Sequence, residues 1–236
     1  MQIRKEVIPG HLKVGWEIML SLPLYVKLIN SRSLLKNKKI GFLSYPINVF
    51  LSFYNYILSL LISKKGYDLE IHSSKEIENI TGMENFLAEW ISEQPIALNK
   101  NITFLKWRLG APDKKYSIVV VKKSDKIVGY TVFSEIIKEN IPSFAILDTS
   151  FLDGHSKSTG LIYNYISKLA KQRKIESIIM MASNSLYKKH KMRKSGFIKS
   201  PYRFFLILKN LSKEYPSNFL KNEDNWHVMW IDSDNF

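Results

Sequence analysis

The chain has 236 residues, 45% of them apolar, enough to bury a core in one domain with an appendage or in two small domains. It contains no cysteine, which excludes disulfides, thiolate nucleophiles and Cys-ligated zinc and fits a reducing cytoplasm. Five scattered histidines make no His-x-x-x-His pair, so no metal site is expected, and a formal charge of +14 calls for an acidic neighbour such as coenzyme A, an anionic membrane surface or nucleic acid.

In chain order, Pro9–Trp16, with its Lys13-x-Gly15-Trp16, precedes the run Ser21–Lys27. Ile40–Ser63 then carries no charge over 24 positions and is flanked by Lys38-Lys39 and Lys64-Lys65, as a membrane span would be. Its interior is interrupted by Ser44, Pro46, Asn48, Ser52, Asn55 and Ser59, which leaves open a span, an interfacial amphipathic helix and a helix buried against other protein.

From Gly66 onward the elements are more regular. Tyr67–His72 alternates as a strand, and Ser73-x-x-Glu76 is a capping box opening a helix. The apolar positions Ile77, Ile80, Phe86, Leu87, Trp90 and Ile91 carry that helix to Gln94-Pro95. A short helix at Thr103–Leu109 precedes a hairpin, Ile118–Val121 and Ile127–Phe133 about the polar turn Lys122–Lys126. Phe144–Thr149 is the next strand, and Gly160–Lys174 a helix with Ile162, Tyr165, Ile166, Leu169 and Ala170 on one face. A buried strand at Ser177–Ala182, a basic helix at Ser185–Lys194 ended by a left-handed Gly196, and strands at Arg203–Lys209 and Trp226–Ile231 complete the order. The pattern predicts an α+β fold with a right-handed crossover.

This order, the polar loop Ser150–Gly160 between a strand and a helix, and Asn184 followed by Lys194-x-Gly196-Phe197 resemble the GCN5-related N-acetyltransferases, or GNATs. Trp107-Arg108, the Pro112…Tyr116 spacing and Gly129-Tyr130 are similar to the tandem GNAT-like proteins of bacterial surface-polysaccharide loci. The resemblance implies a mixed, mostly antiparallel twisted sheet flanked by helices. It also implies a division into residues 1–35 as the remnant of a first such domain, 36–65 as an apolar linker helix and 66–236 as the acyltransferase domain.

The resemblance further implies that the strand before the crossover helix splays from its neighbour and that the following loop takes the pyrophosphate of acetyl-CoA on backbone N–H groups at a helix N-terminus. The equivalent stretch supplies Thr149, Ser150, His155, Ser156, Lys157, Ser158, Thr159 and Gly160, with Asn184 expected at the pantetheine arm. Only Gly160 of the usual Gln/Arg-x-x-Gly-x-Gly/Ala motif is present, and Met192 stands where the family places an acid tyrosine, so Tyr187 and His190 are the candidate substitutes. Asp148 is the expected base, with Asp153 and Glu135 behind it, and Arg108 is expected to hold an acidic group of the acceptor.

The function so implied is acetyl-CoA-dependent N-acylation of an amine, an amino sugar of a surface-polysaccharide precursor, in the cytoplasm or at the inner membrane face. The alternatives are a degenerate, non-catalytic GNAT-like protein that binds a partner or membrane, and a Fem-type aminoacyl transferase. The partners expected are acyl-CoA and an amine acceptor; peripheral membrane association through 40–63 and self-association stay open, and the absence of helix-turn-helix, zinc-finger or aromatic RNA-binding signatures argues against nucleic acid.

Overall fold

In the computed structural model, the structure describes residues 2–3, 8–62, 66–112, 114–211 and 214–233. The elements are β1 (Gln2–Ile3), α1 (Ile8–Lys13), β2 (Glu17–Leu28), α2 (Arg32–Asn37), α3 (Ser44–Leu60), β3 (Asp68–Ser73), α4 (Met83–Ser92), β4 (Ile96–Ala97) and α5 (Ile102–Leu109). They continue as β5 (Tyr116–Lys123), β6 (Lys126–Lys138), β7 (Ile141–Phe151), α6 (Thr159–Gln172), β8 (Ser177–Met181), α7 (Asn184–Lys189), β9 (Ile198–Leu208), α8 (Ser217–Lys221) and β10 (Trp226–His227).

Eight strands form one sheet in the order β1-β9-β2-β8-β7-β6-β5-β3, in which β7 and β8 are parallel and every other pair antiparallel. Helix α6 is the crossover between the parallel pair, and the mixed, mostly antiparallel α+β architecture matches the expectation. Residues 17–28 lie inside this sheet, between β8 and β9, so the segments before 36 and after 66 share one set of strands. Pro23 sits within β2, where the missing N–H coincides with a register shift against β9.

Both faces of the sheet are covered, which is why β5 reads as a continuous β-branched run instead of an alternation. Val119 and Val121 face Ile162, Tyr163 and Ile166 of α6; Ile118 and Val120 face Phe86, Leu87 and Trp90 of α4. Gly129 of β6 pairs with Phe151, and a Cβ there would meet the Phe151 ring at 2.2 Å. Gly129→Ala is therefore expected to cost about 1–3 kcal/mol in a urea titration, through displacement of the ring.

Three local expectations need correction. The helix foreseen from Ser73 to Gln94 is two pieces: the Ser73/Glu76 capping box opens a 3₁₀ turn at 74–79, and Gly82, at φ 85°, redirects the chain before α4. The basic helix at 185–194 stops at α7, since Lys191 takes φ 48° ahead of a second 3₁₀ turn ended by left-handed Gly196. The final strand foreseen at 226–231 is not part of the main sheet; β10 pairs in parallel with β4, and residues 230–232 form a 3₁₀ turn.

Candidate functional site

The parallel pairing of β7 with β8 runs from Ser143/Ser177 to Ile146/Met180 and then stops. At that point β7 carries an extra residue, because Val132 pairs with Asp148 and Phe133 with Ile146, leaving Leu147 as a bulge. Beyond it the two strands part, as the resemblance implies.

The gap is occupied by the segment after β10. Met229 is fully buried, forms an antiparallel bridge with Ala182 at the end of β8, and its Sδ accepts the Thr149 N–H of β7 at 3.2 Å. On the other side of the same residue, His227 Nε2 donates to the Thr149 carbonyl at 3.0 Å. Arg108 ties the segment down from α5: Nε donates to Ile231 O at 3.1 Å, and the guanidinium donates also to Ser233 O.

Beneath this strap lies a sealed polar cluster. Lys100 Nζ donates to Asp148 Oδ1 at 2.7 Å, stands 3.3 Å from Asp232 Oδ1, and donates to His227 Nδ1 at 3.3 Å. Tyr130 O–H donates to Asp148 Oδ2, and Asp232 Oδ2 accepts the Met229 N–H at 2.8 Å. The Trp90 ring closes the cluster, with its centroid 5.3 Å from Lys100 Nζ and 4.8 Å from the His227 ring.

These partners set the charges. Burial alone would lower the Lys100 pKa, but Asp148 and Asp232 outweigh it and hold the ammonium above its ordinary value. Burial is the largest influence on Asp148 and raises it, but Lys100, then His227, with the hydrogen bonds from Lys100 and Tyr130, together outweigh it and leave its carboxyl below the usual range. Asp232 goes the other way: burial and the Asp148 charge exceed the pull of Lys100 and push it up to about 6. Burial, then Lys100, pushes His227 down to about 3, so the ring is neutral with its proton on Nε2.

Asp148, Thr149 and Ser150 thus line the splay as expected, but the Asp148 carboxylate is engaged on both oxygens and fully buried. His190 is also buried, beside the Phe151 ring at 5.8 Å; burial, then Lys189, lowers it to about 3. Tyr187 and Asn184 belong to another group of contacts. The Tyr187 ring stacks on Tyr25 at 4.3 Å and its hydroxyl donates to Phe197 O, while Asn184 Oδ1 accepts from Tyr25 and from Lys199, each at 3.1 Å. Met192, in the place of the family's tyrosine, is fully buried.

In the loop, hydroxyls turn inward. Ser158 Oγ donates to His155 O, and Thr159 Oγ1 contacts Ser156 O and His190 O. His155 meets the Tyr67 hydroxyl at 3.2 Å, Lys157 is exposed, and Ser156 lies on the 3₁₀ turn before α6. Asp153 pairs with Lys189 at 3.3 Å, Glu135 with Arg173 at 2.6 Å, and both are exposed. Gly160, in the first turn of α6, is faced by Ile62, whose nearest atom lies 3.6 Å from the place of a Cβ. The residues sequence reasoning missed are Lys100, His227, Met229 and Asp232; Tyr130 was singled out only as part of a Gly-Tyr pair.

No family model and no curated protein matches the chain. Solved structures do. A conserved protein of unknown function from Staphylococcus epidermidis is 14% identical, with a TM-score of 0.54 over 89% of this chain and 69% of that one. A GCN5-related N-acetyltransferase from Anabaena variabilis is 12% identical, with a TM-score of 0.54 over 88% of this chain, which spans only 45% of its length. With its crossover helix and the parting of β7 from β8, the chain has the fold of the GCN5-related N-acetyltransferases.

Proposed function

We propose that the chain is an acetyl-CoA-dependent N-acyltransferase, acting at the cytoplasmic face of the membrane on an amine such as the amino sugar of a lipid- or nucleotide-linked surface-polysaccharide precursor. The observation that carries the donor is Thr149, whose backbone N–H and C=O leave the sheet ladder and are met by side-chain atoms of the strap. A thioether sulfur is a weak acceptor. An extended amide-bearing arm, as in pantetheine, offers a carbonyl for the N–H and an N–H for the carbonyl, and so exceeds what Met229 and His227 supply. The acceptor class is supported by the likeness of Trp107-Arg108 and its neighbours to the polysaccharide-locus subgroup.

In the transfer the neutral amine nitrogen attacks the thioester carbonyl carbon, the C–N bond forms, the C–S bond breaks, and the proton lost by nitrogen ends on the thiolate through water. With Asp148 held ionised by Lys100 and His190 pushed down to about 3, neither is an effective base, so the rate comes from positioning. A second reading, a non-catalytic scaffold, is favoured by Met229, which lies fully buried where β7 and β8 part.

Titration calorimetry with acetyl-CoA separates the two. On the catalytic reading wild type binds, and Gly160→Asp weakens binding at least about tenfold by placing a carboxylate at the helix end that takes the pyrophosphate. Arg108→Ala, which frees the strap from α5, tightens binding by about tenfold, the worth of a charge-assisted hydrogen bond. A folded sample that takes up no acetyl-CoA, either as wild type or as Arg108→Ala, establishes the scaffold reading instead.

A further inference from the structure

Helix α3 is built inside out. Its inward row holds Ser44, Asn48, Leu51, Asn55 and Leu58, and the asparagines make the attachment. Asn48 Oδ1 accepts from Ser31 N at 2.7 Å and from Ser31 Oγ at 2.8 Å, and Asn55 Nδ2 donates to Leu28 O at 3.2 Å. The outward side is apolar: Phe42 and Leu61 at the ends and Tyr45, Phe50 and Phe53 along the helix each expose between 62% and 79% of their surface. Val49, Tyr56, Ile57 and Leu60 fill the spaces between them, so the patch is continuous along the helix, where a soluble surface tolerates only scattered apolar residues.

The sequence through and on either side of the helix carries charge of one sign. The sequence has no Asp or Glu between Glu17 and Asp68, while Arg32, Lys36, Lys38 and Lys39 precede the helix and Lys64-Lys65 follow it. Exposed Arg193 and Lys194 stand on the turn that packs against its C-terminal half through Gly196 and Leu58. A second copy docked on this face about a two-fold axis would set these cations against one another. No helix among the described residues is long and apolar enough to cross a bilayer.

We infer that α3 lies in the interface of an anionic lipid bilayer, with Phe42, Tyr45, Phe50, Phe53 and Leu61 among the acyl chains and Lys38 and Lys39 on the headgroups. The contact of Ile62 with Gly160 places the start of α6, and with it the end of β7, next to that surface. The inference stands independently of acyl transfer, since vesicle binding needs no donor.

Flotation with vesicles of phosphatidylcholine containing phosphatidylglycerol, against phosphatidylcholine alone, tests it. Wild type is expected to float with the anionic vesicles. Phe50→Glu/Phe53→Glu, both on the solvent side and harmless to the asparagine contacts, is expected to lose at least about tenfold in partitioning with unchanged circular dichroism and melting temperature. Lys38→Ala/Lys39→Ala is expected to lose about fivefold per charge. The inference is overturned if wild type stays unbound at low salt, if the double Glu variant floats as well as wild type, which would make the attraction charge alone, or if sedimentation shows a dimer that the Glu variant dissociates.

Discussion

Lys100→Met is expected to lower the free energy of unfolding by about 3–5 kcal/mol, the cost of removing one partner from a buried charge network. The substitution keeps chain length and apolar bulk, so the loss isolates the ammonium. Lys100 and Asp148 are both fully shielded from solvent, and without the ammonium Asp148 and Asp232 remain as two carboxylates in one apolar enclosure beside Trp90. Both would then titrate above their values in wild type, so the folded variant would bind more protons than the folded wild type and its deficit relative to wild type would shrink as pH falls from 7 toward 5. Chemical denaturation of Lys100→Met and of wild type at those two pH values measures the narrowing. Adding Asp232→Asn should recover part of the loss at neutral pH by removing one of the unpaired charges. A loss under about 1 kcal/mol would mean that the pair behaves as an exposed one and that water reaches it.

Lys100 also shows where the sequence stops being informative. It stands between Asn99 and Asn101, the latter the N-cap of α5, and a single lysine in a loop has no local pattern that distinguishes it from the others. Its partners come from positions 48, 127 and 132 residues away along the chain. The β5–β6 hairpin, β7, α6, β8 and left-handed Gly196 were legible because periodicity and turn chemistry are local. Strand β2 was legible as a strand, but its seat between β8 and β9 is a long-range pairing with no local cue.

Helix α3 misleads in the opposite sense. Asn48 and Asn55 read as interruptions of an apolar run, whereas they are the residues that attach it to Ser31 and Leu28. The loop 150–160 was legible as polar, yet Ser158 and Thr159 satisfy nearby carbonyls, and the splay is filled by a strap whose residues read as one more strand. Closing the splay with the segment after β10 satisfies Thr149 within the chain, and a donor bound as proposed would have to displace that segment.

Acid should dismantle this arrangement in a defined window. His190 and His227 are each held near 3, while in the unfolded chain a histidine binds its proton near about 6.5. Between those values the unfolded state carries protons that the folded state refuses, so each histidine contributes stability that is complete above about 6.5 and lost at about 1.4 kcal/mol per pH unit as pH falls toward the folded value. Asp232 acts with the opposite sign: held up at about 6, it binds a proton in the folded state before the unfolded carboxyl does, and offsets one histidine below that pH. Unfolding free energies from urea titrations should therefore fall by at least about 1.4 kcal/mol per unit between pH 6 and 4, the net of these two histidines and Asp232, with His155, also held below its ordinary value by partial burial, adding in the same direction. Asp148, held low by Lys100, adds further loss below that range. Protonating His227 would set a second cation 3.3 Å from Lys100 Nζ, which makes the strap the element whose contacts fail first. His190→Leu, which removes one of those two histidines and leaves the Lys100 cluster intact, should flatten the profile by one proton; a slope unchanged by that substitution would show that His190 takes up its proton in the folded protein.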